Sequence, residues 1–357
     1  MKRYLVTVFI ALIMPGLFVP PAAHPAEVDS FTNRHELADS APALNLVVNR
    51  WLAEALVTAN ESSVFQLGDE QGVDYCNQAR LFDALKEKLT GFIVGKLEAL
   101  VTDSRDLDTI RVSFDKSIYR DFEFTESPTI SLTRHLAVLL RIGDVYLGAD
   151  KFGHFFTEGL SYYEMYSSVD QYSALQFGDL SESTFYGELT TGVFSYADLA
   201  ANLNGLRFWN AILGLKADPI TGASVDKPFV RCIDKKWRLM KEFDWRDYVD
   251  PTWDEAINCS AFRNEILLAK VKKRITDTSQ GKSCPLVKVD RYFLEKKYGD
   301  LLPFIYNPDG NKVLMEPLKP KLELYWSTIM SRLAISRLFR SDRVPQKEIN
   351  ANEDEGP

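Results

Sequence analysis

The chain has 357 residues, enough for one large domain or two ordinary ones. Its 46% hydrophobic and 12% aromatic content can supply a packed core and excludes a disordered chain. The formal net charge of −8 excludes nucleic acid as a natural partner, because a phosphate backbone repels an acidic protein.

Lys2 and Arg3 precede an apolar run from Leu5 to Val19, and Pro20, Pro21, Ala22 and Ala23 give a small-residue exit. This is the pattern of a secretory signal peptide, assigned here to residues 1–26. The run is shorter than the ~20 residues that a spanning helix needs, and Pro15 interrupts it. No cysteine near the exit marks a lipid anchor. The expectation is an exported chain, periplasmic or secreted, with no integral membrane span after cleavage. Loss of Lys2 and Arg3 would leave 40 basic against 50 acidic residues, a charge of −10.

Cys76, Cys232, Cys259 and Cys284 all fall after the exit, in a chain bound for an oxidising compartment. Two disulfides follow, with three pairings open. The shorter loop favours Cys259–Cys284, which leaves Cys76–Cys232 to tie the two halves together. No two cysteines are two to four residues apart, as a zinc site would need.

Residues 27–42 read as a flexible lead-in. Residues 43–216 read as a helical core. Leu44 to Ala59 has helical apolar spacing, and Asn77 to Thr102 reads as one longer helix with a stripe from Leu81 to Leu100. Gly91 and Gly95 inside it point to close helix packing. Ile110 to Phe124 lacks a 3.6 period and is assigned a short strand or β-hairpin. Leu132 to Ile142 is strongly apolar and reads as a buried helix that carries His135 as a structural residue. A helix opens at Asp150, which is placed as its cap, and runs to about Ser168. Val169 to Ser183 reads as a polar loop, and Thr184 to Thr191 as a short helix. Ser195 then caps a helix reaching about Leu215, with Asp198 completing a capping box. Ala197, Ala200, Ala201 and Gly205 give that helix a small-residue face for close approach.

Residues 217–340 read as a C-terminal extension packed on the core. It has helices over Phe262–Thr276, Val289–Lys297 and Leu322–Leu338, and a turn at Asn307-Pro308-Asp309-Gly310. Lys270, Lys272, Lys273 and Arg274 read as a solvated helix face. Residues 341–357 read as a disordered tail. The fold class is therefore mainly α: an irregular multi-helix bundle with at most the hairpin near 110–124.

The chemistry concentrates between Gly148 and Gly205. On a helix from Asp150, positions 150, 154 and 158 lie one turn apart, so Asp150, His154 and Glu158 share one side, spread over about 80°. Such a row can orient an imidazole as a general base, bind a divalent metal, or lock helices as a buried polar network. Three ligands on one helix do not close a metal site, so a second element must contribute. Glu188, Asp198 and Asn202 are the available donors, and His154, Glu158 and Glu188 are the candidate metal ligands. Ser161 stands two turns beyond His154, about 10 Å along the axis, too far for a Ser–His pair.

Asp150-Lys151-x-x-His154-Phe155, followed by Glu188 and by Phe194-Ser195-x-x-Asp198-Leu199-x-x-Asn202-x-x-Gly205, resembles the VanZ-like and YfiM-like group of bacterial envelope proteins over about residues 144–215. The resemblance implies a small helical bundle in which Asp150, Lys151, His154, Glu188, Asp198 and Asn202 line one inter-helix polar site. It implies no reaction. The expected function is that of an exported envelope protein with a polar inter-helix site for a ligand or partner, an envelope lipid, glycan or protein. The alternatives are a metal-dependent or acid–base hydrolase of an envelope lipid or glycan, and a purely structural polar network.

Overall fold

The computed structural model describes residues 27–61, 75–91, 94–183 and 190–314. The signal-peptide assignment, the 184–189 part of the short-helix assignment, the Leu322–Leu338 helix and the tail lie outside them.

The fold is mainly helical. Helix α1 (Ala41–Glu61) buries Leu44, Val48, Leu52, Ala55 and Leu56, the stripe its spacing requires. Its Asn45, Asn49 and Asn60 hold a distant strip of chain. Asn49 accepts from Phe243 N at 2.7 Å and donates to Phe243 O at 2.8 Å. Asn60 brackets Trp237 in the same way, and Asn45 accepts from Trp245 N at 2.9 Å. Amide side chains can complete two backbone bonds at once, so Phe243 is held to α1 without a sheet partner.

The single helix expected over 77–102 is two, α2 (Gln78–Leu89) and α3 (Lys96–Asp103). Thr90 turns extended, and the chain restarts at Gly95. A Cβ at Gly95 would lie 2.7 Å from the Cα of Gly153, so the close packing expected of this glycine is present, at the helix start and not within it.

No hairpin forms over 110–124. Ile110 makes one bridge to Leu139, and the chain then coils around Asp29. The Asp29 carboxylate accepts from the backbone of Phe31, Thr32 and Ile118. Ile118, Tyr119 and Phe122 are thereby turned into a second core.

The helix expected over 132–142 is also replaced. Helix α4 (Pro128–Thr133) stops at Arg134, at φ 51°, with Leu132 exposed and His135 at the surface. Strands β1 (Leu139–Ile142) and β2 (Val145–Gly148) follow as an antiparallel hairpin, with Ile142 paired to Val145 across Gly143-Asp144. Gly143 takes φ 57°, as the first position of a two-residue hairpin turn requires. A continuous apolar run does not distinguish a buried strand from a buried helix, and the turn glycine decided it.

The next helix is continuous but mixed: α5 (Asp150–Gly153), a π-helical turn (His154–Glu158) and α6 (Gly159–Ser168). Residues 169–183, expected as a loop, contain α7 (Gln171–Ser183). Asp170 starts it by accepting from Ser173 N, and Ala174 and Leu175 are buried. Its Gly178 faces the Tyr162 hydroxyl where any Cβ would collide.

Strand β3 (Val193–Phe194) leads into α8 (Tyr196–Leu213), the most buried helix described. Strands β4 (Val230–Ile233) and β5 (Lys236–Leu239) form a second hairpin, and β6 (Ala261–Phe262) pairs with β3. Helices α9 (Glu265–Thr278), α10 (Arg291–Tyr298) and α11 (Leu302–Ile305) follow. The basic residues of α9 are more engaged than a solvated face would be: Lys270 pairs with Glu126 and Arg274 with Asp121.

The principal core is aromatic. Phe155, Phe156, Phe208, Phe243, Trp245 and Trp253 are each at most 1% exposed and contact one another edge to face or tilted. Both disulfides take the expected pairing, Cys76–Cys232 and Cys259–Cys284. No helix among the described residues is long and apolar enough to cross a membrane.

Candidate functional site

Directly beside the aromatic core, α5 and the π turn meet α8. Ser195 caps α8 as its sequence position requires, its hydroxyl accepting from Asp198 N at 3.2 Å. The other half of the expected capping box is not made, because the Asp198 carboxylate is used across the helix interface. Asp150 is not a cap either: it is the first helical residue after Ala149, and its carboxylate turns to Lys151.

Lys151 is fully buried and is the hub. Its Nζ lies 2.5 Å from Asp150 Oδ2, 2.5 Å from Asp198 Oδ1 and 2.7 Å from Glu255 Oε1. The approach to Asp198 Oδ1 is an ion contact without hydrogen-bond alignment. Glu255 Oε1 also accepts from the Ser195 hydroxyl at 3.0 Å. Asp198 Oδ2 stands 3.2 Å from His154 Nε2. Asp150 Oδ1 is buried with no donor.

His154 Nδ1 faces Asn202 Oδ1 at 3.1 Å. Turned over, the Asn202 amide would instead donate to His154 Nδ1 and to the His154 carbonyl, each at 3.1 Å. The first orientation suits an imidazolium and the second a neutral ring, so the amide follows the proton on His154. Tyr162 completes this end, its hydroxyl 3.4 Å from Asn202 Nδ2.

Burial disfavours every charge here, and the neighbours decide which survive. For Asp198, burial raises the pKa, but the charges of His154 and Lys151 outweigh it and hold the carboxyl well below its usual range. For His154, burial opposes the imidazolium, and Asp198 reverses this and raises the pKa well above 6.5. Lys151 is likewise held protonated, with burial outweighed by Asp150, Asp198 and Glu255. The remaining acids go the other way. Burial, reinforced by Asp150, pushes Glu98 up to about 8, and burial pushes Glu255 up to about 7 despite Lys151. Glu27 and Glu182 are raised well above 4.5 by burial and by neighbouring carboxylates, and Asp150 is raised by burial.

The sequence-predicted Asp150, Lys151, His154, Asp198 and Asn202 are thus brought together between two elements. Glu158, at the end of the π turn, is half-buried and is not among the groups gathered on Lys151. Glu188 lies outside the described residues. Four acids were missed. Glu255 sits in Trp253-Asp254-Glu255-Ala256, whose charge reads as surface. Glu98 lies on α3, and its signal was Gly153: a Cβ there would stand 2.7 Å from Glu98 Oε2. Glu27 and Glu182 fell in segments taken as polar lead-in and loop.

Among the described residues, Asp150, His154 and Asp198 form a group with the spacing of metal ligands, one ligand atom from each lying within 4.8 Å of the others. No protein-family model matches this chain, and no curated protein and no solved structure matches it either.

Proposed function

We propose that this is an exported helical protein of the bacterial envelope whose buried inter-helix site binds a divalent cation through Asp150, His154 and Asp198. The observation that carries the reading is an imbalance. Six buried carboxyl groups (Glu27, Glu98, Asp150, Glu182, Asp198 and Glu255) act on one lysine and one histidine. A network that only locks helices is cheapest when every member is paired and satisfied. Here Asp150 Oδ1 has no donor, and the glutamic acids hold protons that a cation can displace.

Lys151 occupies Asp150 Oδ2 and Asp198 Oδ1, so the oxygens on offer are Asp150 Oδ1 and Asp198 Oδ2, beside His154 Nε2. One imidazole nitrogen with two carboxylate oxygens is a donor set for Mn²⁺ or Zn²⁺. Export is supported by the two disulfides and by the basic–apolar–small pattern of residues 1–26. The envelope setting rests on the resemblance of the D-K-x-x-H and S-x-x-D-L-x-x-N motifs.

A cation that binds only the native chain raises its melting temperature by mass action. Metal-free protein titrated with Mn²⁺ or Zn²⁺ should melt progressively higher, and Asp198→Asn should not respond. An unchanged melting temperature at millimolar metal would contradict the proposal.

A further inference from the structure

A second feature adjoins Glu255. A cavity of about 200 Å³ opens between the coil after Asp29 and helix α9. Phe31, Tyr119 and Phe262 contribute to one side, and Leu268, Val271 and Ile275 of α9 to the other. The last three fall on one helical stripe. The exposed Lys272 and Asn311, joined at 2.8 Å, mark the mouth. Glu255, 2% exposed, is the buried acid in the wall. Its Oε1 takes both the Lys151 and Ser195 bonds.

We infer that this cavity binds a small primary amine with a ring-sized apolar body, the ring between α9 and Phe31 and the ammonium toward Glu255. Size sets the first half: a dry apolar cavity of about 150 Å³ holds a benzene ring, so this one takes a ring and a short linker. The lining mixes apolar side chains with a few polar ones, Glu255 and Ser260 buried and Lys272, Asp309 and Asn311 exposed, as small-molecule sites do. Charge sets the second half. Two acids, Glu255 and Asp309, line the cavity against one lysine, Lys272, so a cation complements it where an anion would be repelled.

The test is calorimetric titration with phenethylamine, 2-phenylethanol and 3-phenylpropanoate, in chelator so that no metal contributes. Phenethylamine should bind at least tenfold more tightly than the alcohol, and the carboxylate should not bind. Leu268→Trp, which fills the cavity from α9, should abolish binding, and Ile275→Phe serves if that variant does not fold. Glu255→Gln should remove the preference for amine over alcohol. Equal binding of all three compounds, no binding of the amine, or undiminished binding in the filled variant would overturn the inference. The outcome is separable from the cation proposal: amine binding in chelator stands without a metal, and a metal response lost in Asp198→Asn stands without the amine.

Discussion

Gly159 and Gly205 meet backbone to backbone: a Cβ on Gly159 would stand 2.6 Å from the Cα of Gly205. This contact lets α8 lie close enough to the π turn for Asp198 and Asn202 to reach His154. A Cβ on Gly205 would also run into the carbonyl of Phe155. Gly205→Ala is therefore expected to destabilise the protein by about 3 kcal/mol through overpacking, read as a lower urea midpoint. An unchanged midpoint would mean that the helices are not in this register.

Lys151 carries the charge balance. Lys151→Met would leave Asp150, Asp198 and Glu255 without their shared cation, at a cost of about 3–5 kcal/mol. Adding Asp198→Asn should recover part of that loss, because it removes one of the stranded charges. A double variant whose loss is the sum of the two singles would show that the pair does not interact.

Stability should fall as pH rises from about 5 to 8. Burial raises the Glu98 carboxyl from 4.5 to about 8, and burial raises Glu255 to about 7. The native chain therefore keeps protons that the unfolded chain releases above about pH 4.5, so ionisation drains stability across that window. The raised pKa of His154 acts in the same direction. Glu98 alone supplies on the order of a few kcal/mol of this slope. Urea midpoints at pH 5 and pH 8 measure it, and Glu98→Gln should flatten it. A midpoint that rises toward pH 8 would show that these acids are ionised in the native state.

The two disulfides should differ in weight. Cys76–Cys232 spans 156 positions and Cys259–Cys284 spans 25, so loop-closure entropy assigns them about 5 and about 3.5 kcal/mol. Replacing each pair by alanine and comparing thermal midpoints tests the order. A larger loss from the shorter loop would point to native-state contacts in place of chain entropy.

The sequence was most legible where one residue type does one job. Helix α1, the start of α8 at Ser195 and the close approach at Gly205 followed from apolar spacing, a cap and a small-residue face. The apolar run before Gly143 was read as helix because a buried strand and a buried helix look alike in sequence, and the turn at Gly143 made it a strand. Residues 171–183 looked like loop because their buried stripe is short and the Gly178 that admits Tyr162 lowers helix propensity. At the site, residues on α5 and α8 were readable from i, i+4 spacing. Glu255 was not, since it reaches Lys151 from 104 positions away. Nothing in its neighbours' polarity marks it as buried.

The proposed exchange at the buried centre is of protons for a cation. Its most direct test is calorimetric titration of the metal-free protein with Mn²⁺ at pH 6, in two buffers of different ionisation enthalpy. One Mn²⁺ per chain should bind with release of at least one proton, and Asp150→Asn and Asp198→Asn should abolish it. Absence of binding, or binding that survives both substitutions, would contradict the account.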